Sequence, residues 1–412
     1  MTTAVRAGGP ATRWLLAYTA AILGDVSYYL VLTWAAGEAG GPLWTGVVLA
    51  VGAIPRAALM LVGGLLADHL DPRRIAIATD AARAVLLVGA ASAAAVLGPM
   101  PWWLLALSLS FGVVDACFIP AVGALPARLV TPDTLPRLQA WRITGLRIGN
   151  AIGPAVGALL LTLGLAAALA SIALLFVVSV GLLLTVRTRV AAIAPRRGMR
   201  SVAPVPLGEL RRRGLLPLVA ATALSELPFS GPVAIGIVLL AQERAWPPAV
   251  AGALLTVFSL GGLASGVILG SLPRRLLGGP GAARGVVLGG LALGAGILAL
   301  LPAADAGTAV VLGGVLGAAT GATMVVGHGR IQQATPPELL GRVTALLSLA
   351  TLGLGPVAYG AVGTIAATAG LGTVFAVLAG TLVCAAVVLV SARGLLARPA
   401  ATAMEKRNGP GF

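Results

Sequence analysis

Twelve stretches of uninterrupted apolar sequence, each near the roughly 20 residues a helix needs to cross a bilayer, constrain this chain more than any other feature. They fall near 14–36, 44–67, 75–98, 102–127, 138–163, 166–186, 214–240, 248–272, 284–302, 307–331, 343–368 and 371–392. The runs are continuous instead of alternating, which excludes transmembrane strands, and in lipid each must satisfy its own backbone, as a helix does. Only 10% of the residues are charged and 58% are hydrophobic, against about 25% charged in soluble domains. No water-soluble fold could enclose that much apolar surface. The expectation is an all-α membrane protein of twelve transmembrane helices.

A net charge of +15 and a pI near 11.6 would suit a nucleic-acid partner if the charges formed a patch. They do not. All but five of the 28 basic residues fall at alternate loops: Arg6 and Arg13, Arg73 and Arg74, Arg128 and Arg137, eight arginines from Arg187 to Arg213, then Arg274, Arg275, Arg284, Arg330, Arg342 and the C-terminal four. Arg244 is in a loop on the opposite side, and Arg56, Arg83, Arg142 and Arg147 lie in or at the ends of spans. This is the positive-inside pattern of a protein in the cell inner (plasma) membrane with both termini in the cytoplasm. The lipid bilayer is therefore the expected partner and nucleic acid is not. The stretch Trp14 to Ala36 is too long for a signal-peptide core and reads as the first span.

Chemistry is bounded by what is missing. Lys406 is the sole lysine, so no P-loop can be written, and His69 and His328 are the only histidines, so no H-E-x-x-H motif exists. Neither an enzyme nor a metal site or cofactor is expected, and energy must come from elsewhere than ATP hydrolysis at a P-loop. Cys117 and Cys384 sit in apolar runs as small hydrophobes.

The Arg-, Pro- and Gly-rich stretch 188–213 divides the chain into 1–187 and 214–412, each with six spans. Gly153-Pro154 with Gly157 recurs as Gly355-Pro356 with Gly360, Thr131-Pro132 recurs as Thr335-Pro336, and Asp25 recurs as Glu226, at offsets of 202, 204 and 201. Three matches near half the chain length predict two pseudo-symmetric six-helix bundles joined by a cytoplasmic linker.

An ionised carboxylate at a span centre costs roughly 2.5 to 3.5 kcal/mol on insertion scales, which makes intramembrane acids functional candidates. Asp25, followed at helical spacing by Tyr29 and Thr33, gives the first span one polar stripe. Glu226 precedes Pro228 and Pro232, prolines that free backbone carbonyls inside a span. Asp115 lies in the fourth span between Gly112 and Pro120. Structural roles, such as pairing with an arginine, are the alternative for each. Arg56 or Arg147 is the candidate charge partner for Asp25 or Asp115, and His328 is a candidate proton shuttle.

The run Gly64-Leu65-Leu66-Ala67-Asp68-His69-Leu70-Asp71-Pro72-Arg73-Arg74 resembles the signature loop of the major facilitator superfamily, G-x-L-A-D-R-x-G-R-R, with His69, Asp71 and Pro72 departing from it. Gly64, Asp68, Arg73 and Arg74 would then form an inner latch. Gly149, Gly153, Pro154 and Gly157 resemble the G-x-x-x-G-P-x-x-G-G element of that superfamily's exporters, with Ala158 in place of the last glycine. Leu23-Gly24-Asp25, Ile54-Pro55-Arg56, Ile119-Pro120-Ala121 and the run Pro337 to Val343 are similar to the enterobactin-exporter-like branch, and the whole resembles either that branch or the drug/proton antiporters. The resemblance implies a monomeric secondary active transporter that works by alternating access and exports a small amphipathic compound in exchange for protons. A dedicated siderophore or metabolite exporter, an uptake symporter, and a non-transporting receptor on the same scaffold are the other readings. Single cysteines placed within 188–213 are expected to react with a membrane-impermeant maleimide only in inside-out vesicles; reaction in intact cells would reverse the topology.

Overall fold

A computed structural model of the chain describes residues 9–67, 71–186, 207–212, 215–273, 280–349 and 353–391, and every regular element among them is a helix. All twelve expected spans are present. The first two, α1 (10–39) and α2 (42–67), are one stretch, Pro10–Ala67, interrupted where Gly40 and Gly41 leave helical geometry. Gly41 has φ 72° and ψ −166°, a conformation open only to a residue without a Cβ, and Pro42 then sets the first turn of α2. The same device separates the outer part of α11 (355–369) from α12 (371–391), where Gly370 takes φ 82°.

Between these pairs lie α3 (Pro72–Leu97), α4 (Pro101–Ala124), α5 (Leu135–Leu161) and α6 (Leu165–Thr185). Then come α7, α8 (Pro248–Ser271), α9 (Pro280–Leu300), α10 (Ala306–Ala334) and the inner part of α11 (Pro337–Ser348). At 1.5 Å per residue the 21 residues of α6 extend about 31 Å, enough to cross a hydrocarbon core of about 30 Å. Proline in the first turn starts α3, α4 and α5, where its missing N–H has no partner to lose. Asp305 starts α10 differently. Its carboxylate accepts from the Thr308 amide (3.0 Å) and hydroxyl (2.7 Å), bonds that hold its carboxyl below the usual range. Outward-facing Val85, Val96, Val311 and Val357 are strongly exposed, as lipid-facing side chains must be.

α7 departs from a simple span. It runs as Leu216–Glu226, a 3-10 turn Leu227–Ser230, and Pro232–Glu243, with Gly231 at φ 146° in the gap. Pro228 and Pro232 bracket the break. The expected linker, 188–213, lies outside the described residues except for the short helix Leu207–Arg212.

Packing divides the described residues into two compact units. One gathers those of Met1–Gly198 with Ala234–Thr256 and Gly355–Gly370; the other gathers those of Met199–Val233, Val257–Leu354 and Leu371–Phe412. Two stretches of the second sequence half therefore pack with the first. Within the first unit α1 lies against α5 on the Gly-Pro element: a Cβ on Gly149 would stand 2.5 Å from Ile22, and one on Gly153 would stand 2.6 Å from Val26. The Ser27 hydroxyl donates to the Gly153 carbonyl at 3.0 Å, which fixes the register of α1 beside Asp25. α2 and α4 cross on Gly52 and Gly112, where the Ser108 hydroxyl donates to the Val48 carbonyl at 2.7 Å.

In the second unit α8 and α10 repeat that crossing on Gly261, Gly314 and Gly317, at an offset close to that of the sequence repeat. A Cβ on Gly317 would sit 1.9 Å from the Phe258 carbonyl oxygen, which belongs to backbone and cannot yield. We expect Gly317→Val to lower stability by about 1–3 kcal/mol through overpacking. Gly289→Ala, at a position whose Cβ would meet nothing within 4 Å, should leave the thermal midpoint in detergent level or higher.

Candidate functional site

Four helices of the first unit each bring ionisable groups to one buried point. α3 supplies Asp80 and Arg83, three residues apart and so on one face, and both are fully buried. α4 supplies Asp115, α1 supplies Asp25, and α2 supplies Arg56 directly after Pro55. The Arg83 guanidinium is shared: Nη2 donates to Asp115 Oδ1 at 2.5 Å, Nη1 donates to Asp80 Oδ1 at 3.1 Å, and Nη1 stands 3.6 Å from Asp25 Oδ1. Arg56 Nη2 pairs with Asp115 Oδ2 at 2.5 Å and donates to the Tyr29 hydroxyl. Ser179 of α6 donates to the remaining Asp80 oxygen at 2.6 Å. The rings of Phe118, Phe176 and Phe111 surround Arg83, with centroids 4.1, 5.4 and 5.5 Å from its guanidinium carbon.

This arrangement holds three carboxylates and two guanidiniums, so with every group ionised it carries one surplus negative charge. Asp80 and Asp115 are saturated by short charge-assisted hydrogen bonds. Asp25 is not. Its contact with Arg83 is within ion-pair range but too long for a hydrogen bond, and its buried Oδ1 has no hydrogen-bond partner. Of the three acids, Asp25 is the one whose charge the two guanidiniums compensate least.

The sequence candidates separate cleanly at this point. Asp25, Asp115 and Arg56 belong to the cluster, and Tyr29 and Thr33 lie on one face of α1 as their spacing predicts, with the Thr33 hydroxyl donating to the Tyr29 carbonyl at 2.6 Å. Arg147 is placed on an exposed face of α5, outside the cluster, so Arg56 is the partner that the structure brings to the acids. Asp80 and Arg83 were not foreseen as site residues. Their signal was the spacing itself, opposite charges three apart within a span.

Glu226 and His328 meet in the second unit, with Glu226 Oε1 3.1 Å from His328 Nε2. His328 Nδ1 lies 3.1 Å from the Met324 carbonyl of its own helix. The pair adjoins the break in α7. At the inner latch, Gly64 is helical and Asp68 lies outside the described residues. Asp71 caps α3 by accepting from the Arg73 amide at 3.2 Å and pairs with Arg128 at 3.4 Å. The Arg73 side chain donates to the Leu183 and Leu184 carbonyls at 3.2 and 2.8 Å, closing the C-terminal end of α6. Arg74 is exposed.

The Major Facilitator Superfamily model matches residues 14–233. No curated protein matches the chain. Among solved structures it is similar to a bacterial homologue of the iron transporter ferroportin in the inward-facing state, with a TM-score of 0.71 and 19% identity over 93% of this chain and 98% of that one. The nucleoside transporter NupG gives 0.69 and 14% over 93% and 99%. A bacterial homologue of the human lysosomal transporter Spinster, inward-facing and occupied, gives 0.66 and 16% over 97% and 98%.

Arg83→Met leaves Asp80 and Asp115 buried without their shared cation, a loss of about 3–5 kcal/mol. The expected outcome is poor recovery of monodisperse protein and a lower unfolding temperature, partly restored by Asp80→Asn in the same chain.

Proposed function

Since the chain belongs to the major facilitator superfamily, we propose that it is a proton-coupled exporter of small amphipathic compounds in the cell membrane, working by alternating access with both termini in the cytoplasm. The superfamily fold supports secondary transport, and a multi-pass transporter rather than an enzyme is the class to which the chain is assigned. The observation that carries the finer reading is the charge imbalance at Asp25. With Asp25 ionised, the cluster attracts a cation; with Asp25 protonated, it is neutral and releases one. A proton and the polar end of a substrate therefore compete for one carboxylate, which is the elementary requirement for exchange across a membrane.

Asp115, Arg56 and Arg83 hold the field in which Asp25 titrates. Glu226, 3.1 Å from His328 at the break in α7, is the second candidate acid, in the other half of the chain. The six-helix division at 188–213 is kept as the frame of the rocking halves. Uptake by symport would use the same carboxylate with proton and substrate bound together, so the sign of the coupling decides between the two.

The test is transport in proteoliposomes under an imposed pH gradient, with cargoes selected by a susceptibility panel in a pump-deficient host with and without an uncoupler. Asp25→Asn is expected to lower proton-driven export by at least about tenfold, a barrier change near 1.4 kcal/mol, while downhill substrate flux persists. Undiminished proton-driven export would remove Asp25 from the coupling role.

A further inference from the structure

Arg147 is a charge that the Asp25 cluster does not use. Of the four arginines in or at the ends of spans, Arg56 and Arg83 are held by carboxylates. Arg142 donates to Gln139 at 3.3 Å, with its guanidinium carbon 5.4 Å from the centre of the Tyr18 ring. Arg147 is exposed and makes no hydrogen bond or ion pair with a described residue. It is also deep. As the thirteenth of the 27 residues of α5 it stands about 18 Å along the axis from the inner end, too far for its three-methylene stem to carry the charge to the interface. A guanidinium at that depth must face water.

The faces of α5 show which water that is. Gly145, Gly149 and Gly153 pack against α1, and the exposed Trp141, Ile148, Ile152 and Leu159 form an apolar face suited to acyl chains. A third face carries Ile143, Arg147, Asn150, Pro154 and Ala158, at helical spacings of three and four. Its outer end is covered by α8: a Cβ on Gly252 would stand 2.4 Å from the Ala158 Cβ and 2.8 Å from the Pro154 carbonyl oxygen. Its inner end is open, with Ile143, Arg147 and Asn150 all exposed. The face therefore borders a wet passage that reaches from the inner end of α5 as far as the α8 contact. Because Gly149 lies against Ile22 and Gly153 against Val26, Arg147 stands about 8 Å along the axis on the inner side of Asp25. The Asn150 carboxamide adds two N–H donors one turn beyond it.

We propose that Arg147 and Asn150 form a binding site for the anionic group of the exported compound, a carboxylate, sulfonate or phosphate, with Ile143 against its apolar part. A guanidinium presents a fixed fork of N–H donors to two oxygens of such a group, and apolar walls strengthen the pair. The opposite end of the molecule, a cation or a hydrogen-bond donor, is left to compete at Asp25. This rests on the exporter reading and narrows it from amphipathic compounds in general to amphipathic acids.

The anion field is read first with probes that need no cargo. In a chain carrying Cys117→Ala and Cys384→Ala, Thr144→Cys places a thiol at an exposed position one turn from Arg147. Its rates of reaction with a sulfonate-bearing and a trimethylammonium-bearing methanethiosulfonate are compared in nanodiscs. The sulfonate-to-ammonium ratio is expected to be about tenfold higher with Arg147 than with Arg147→Gln, the low end of what a charged cleft achieves in concentrating its counter-ion, and Arg147→Lys should keep most of it. Reaction with N-ethylmaleimide but with neither charged reagent would place this face among acyl chains, and an unchanged ratio in Arg147→Gln would mean that the arginine exerts no such field; either result overturns the proposal. The substrate class is read in proteoliposomes from acidic compounds that pass the susceptibility panel, each paired with its methyl ester. Arg147→Gln is expected to slow flux of the acid by about tenfold and of the ester by less than about twofold. Ester flux equal to acid flux in the unaltered chain would overturn the proposal. Absence of flux for both would remove it together with the exporter reading, whereas a lost labelling preference at Thr144→Cys removes it alone.

Discussion

A guanidinium with no access to water must take its partners from the protein, and Arg83 takes three. Removing an ion from water costs several kcal/mol even after the protein relaxes, so a fully buried arginine persists only where its neighbours are fixed before it arrives. Here they are fixed by glycine. Gly52 and Gly112 bring α2 and α4 into contact, Gly149 and Gly153 bring α5 onto α1, and Gly24 lets the Phe176 ring of α6 lie against α1. The small residues and the charged ones are thus parts of one device. Close backbone approach determines where the carboxylates stand, and the carboxylates determine that the arginine can stay.

The two halves have put the same scaffold to different uses. Asp25 and Glu226 occupy corresponding positions, yet Asp25 joins a five-member ionic network whereas Glu226 faces a single histidine. The α2–α4 crossing of the first half leads to Asp115, and the matching α8–α10 crossing leads to Thr320 and Thr323, whose hydroxyls bond back to their own helix. Charge is concentrated in one half. In the other, α7 is interrupted directly after Glu226, where the chain passes from helix into the 3-10 turn.

Much of this was legible in the residues alone. The twelve spans, the breaks at proline and the choice of Asp25, Asp115 and Arg56 as candidates follow from hydropathy and the cost of burying charge. Asp80, and the pairing that makes Arg83 more than one of four span arginines, leave little trace because hydropathy sums over a window. An acid and a base three residues apart hardly depress it in a run as apolar as α3, and their mutual neutralisation is a three-dimensional fact. The choice between Arg56 and Arg147 was likewise open in the sequence, since both lie in spans and only packing decides which face is turned inward. The membership of 234–256 and 355–370 in the first compact unit has no local signature, because it depends on where the chain returns in space.

Gly46 of α2 and Gly363 of α11 meet so closely that a Cβ on Gly46 would stand 2.7 Å from the Gly363 Cα, and the absence of side chains there has a mechanical meaning. Where two helices meet through interlocking side chains, sliding one past the other requires many rotamers to change together, and the contact resists motion in steps. Where they meet backbone to backbone, nothing interlocks, and the surfaces behave as a smooth bearing that parts and rejoins without repacking. Such a joint has no clearance: a single methyl group inserted there acts as grit, forcing the two backbones apart along their whole line of contact.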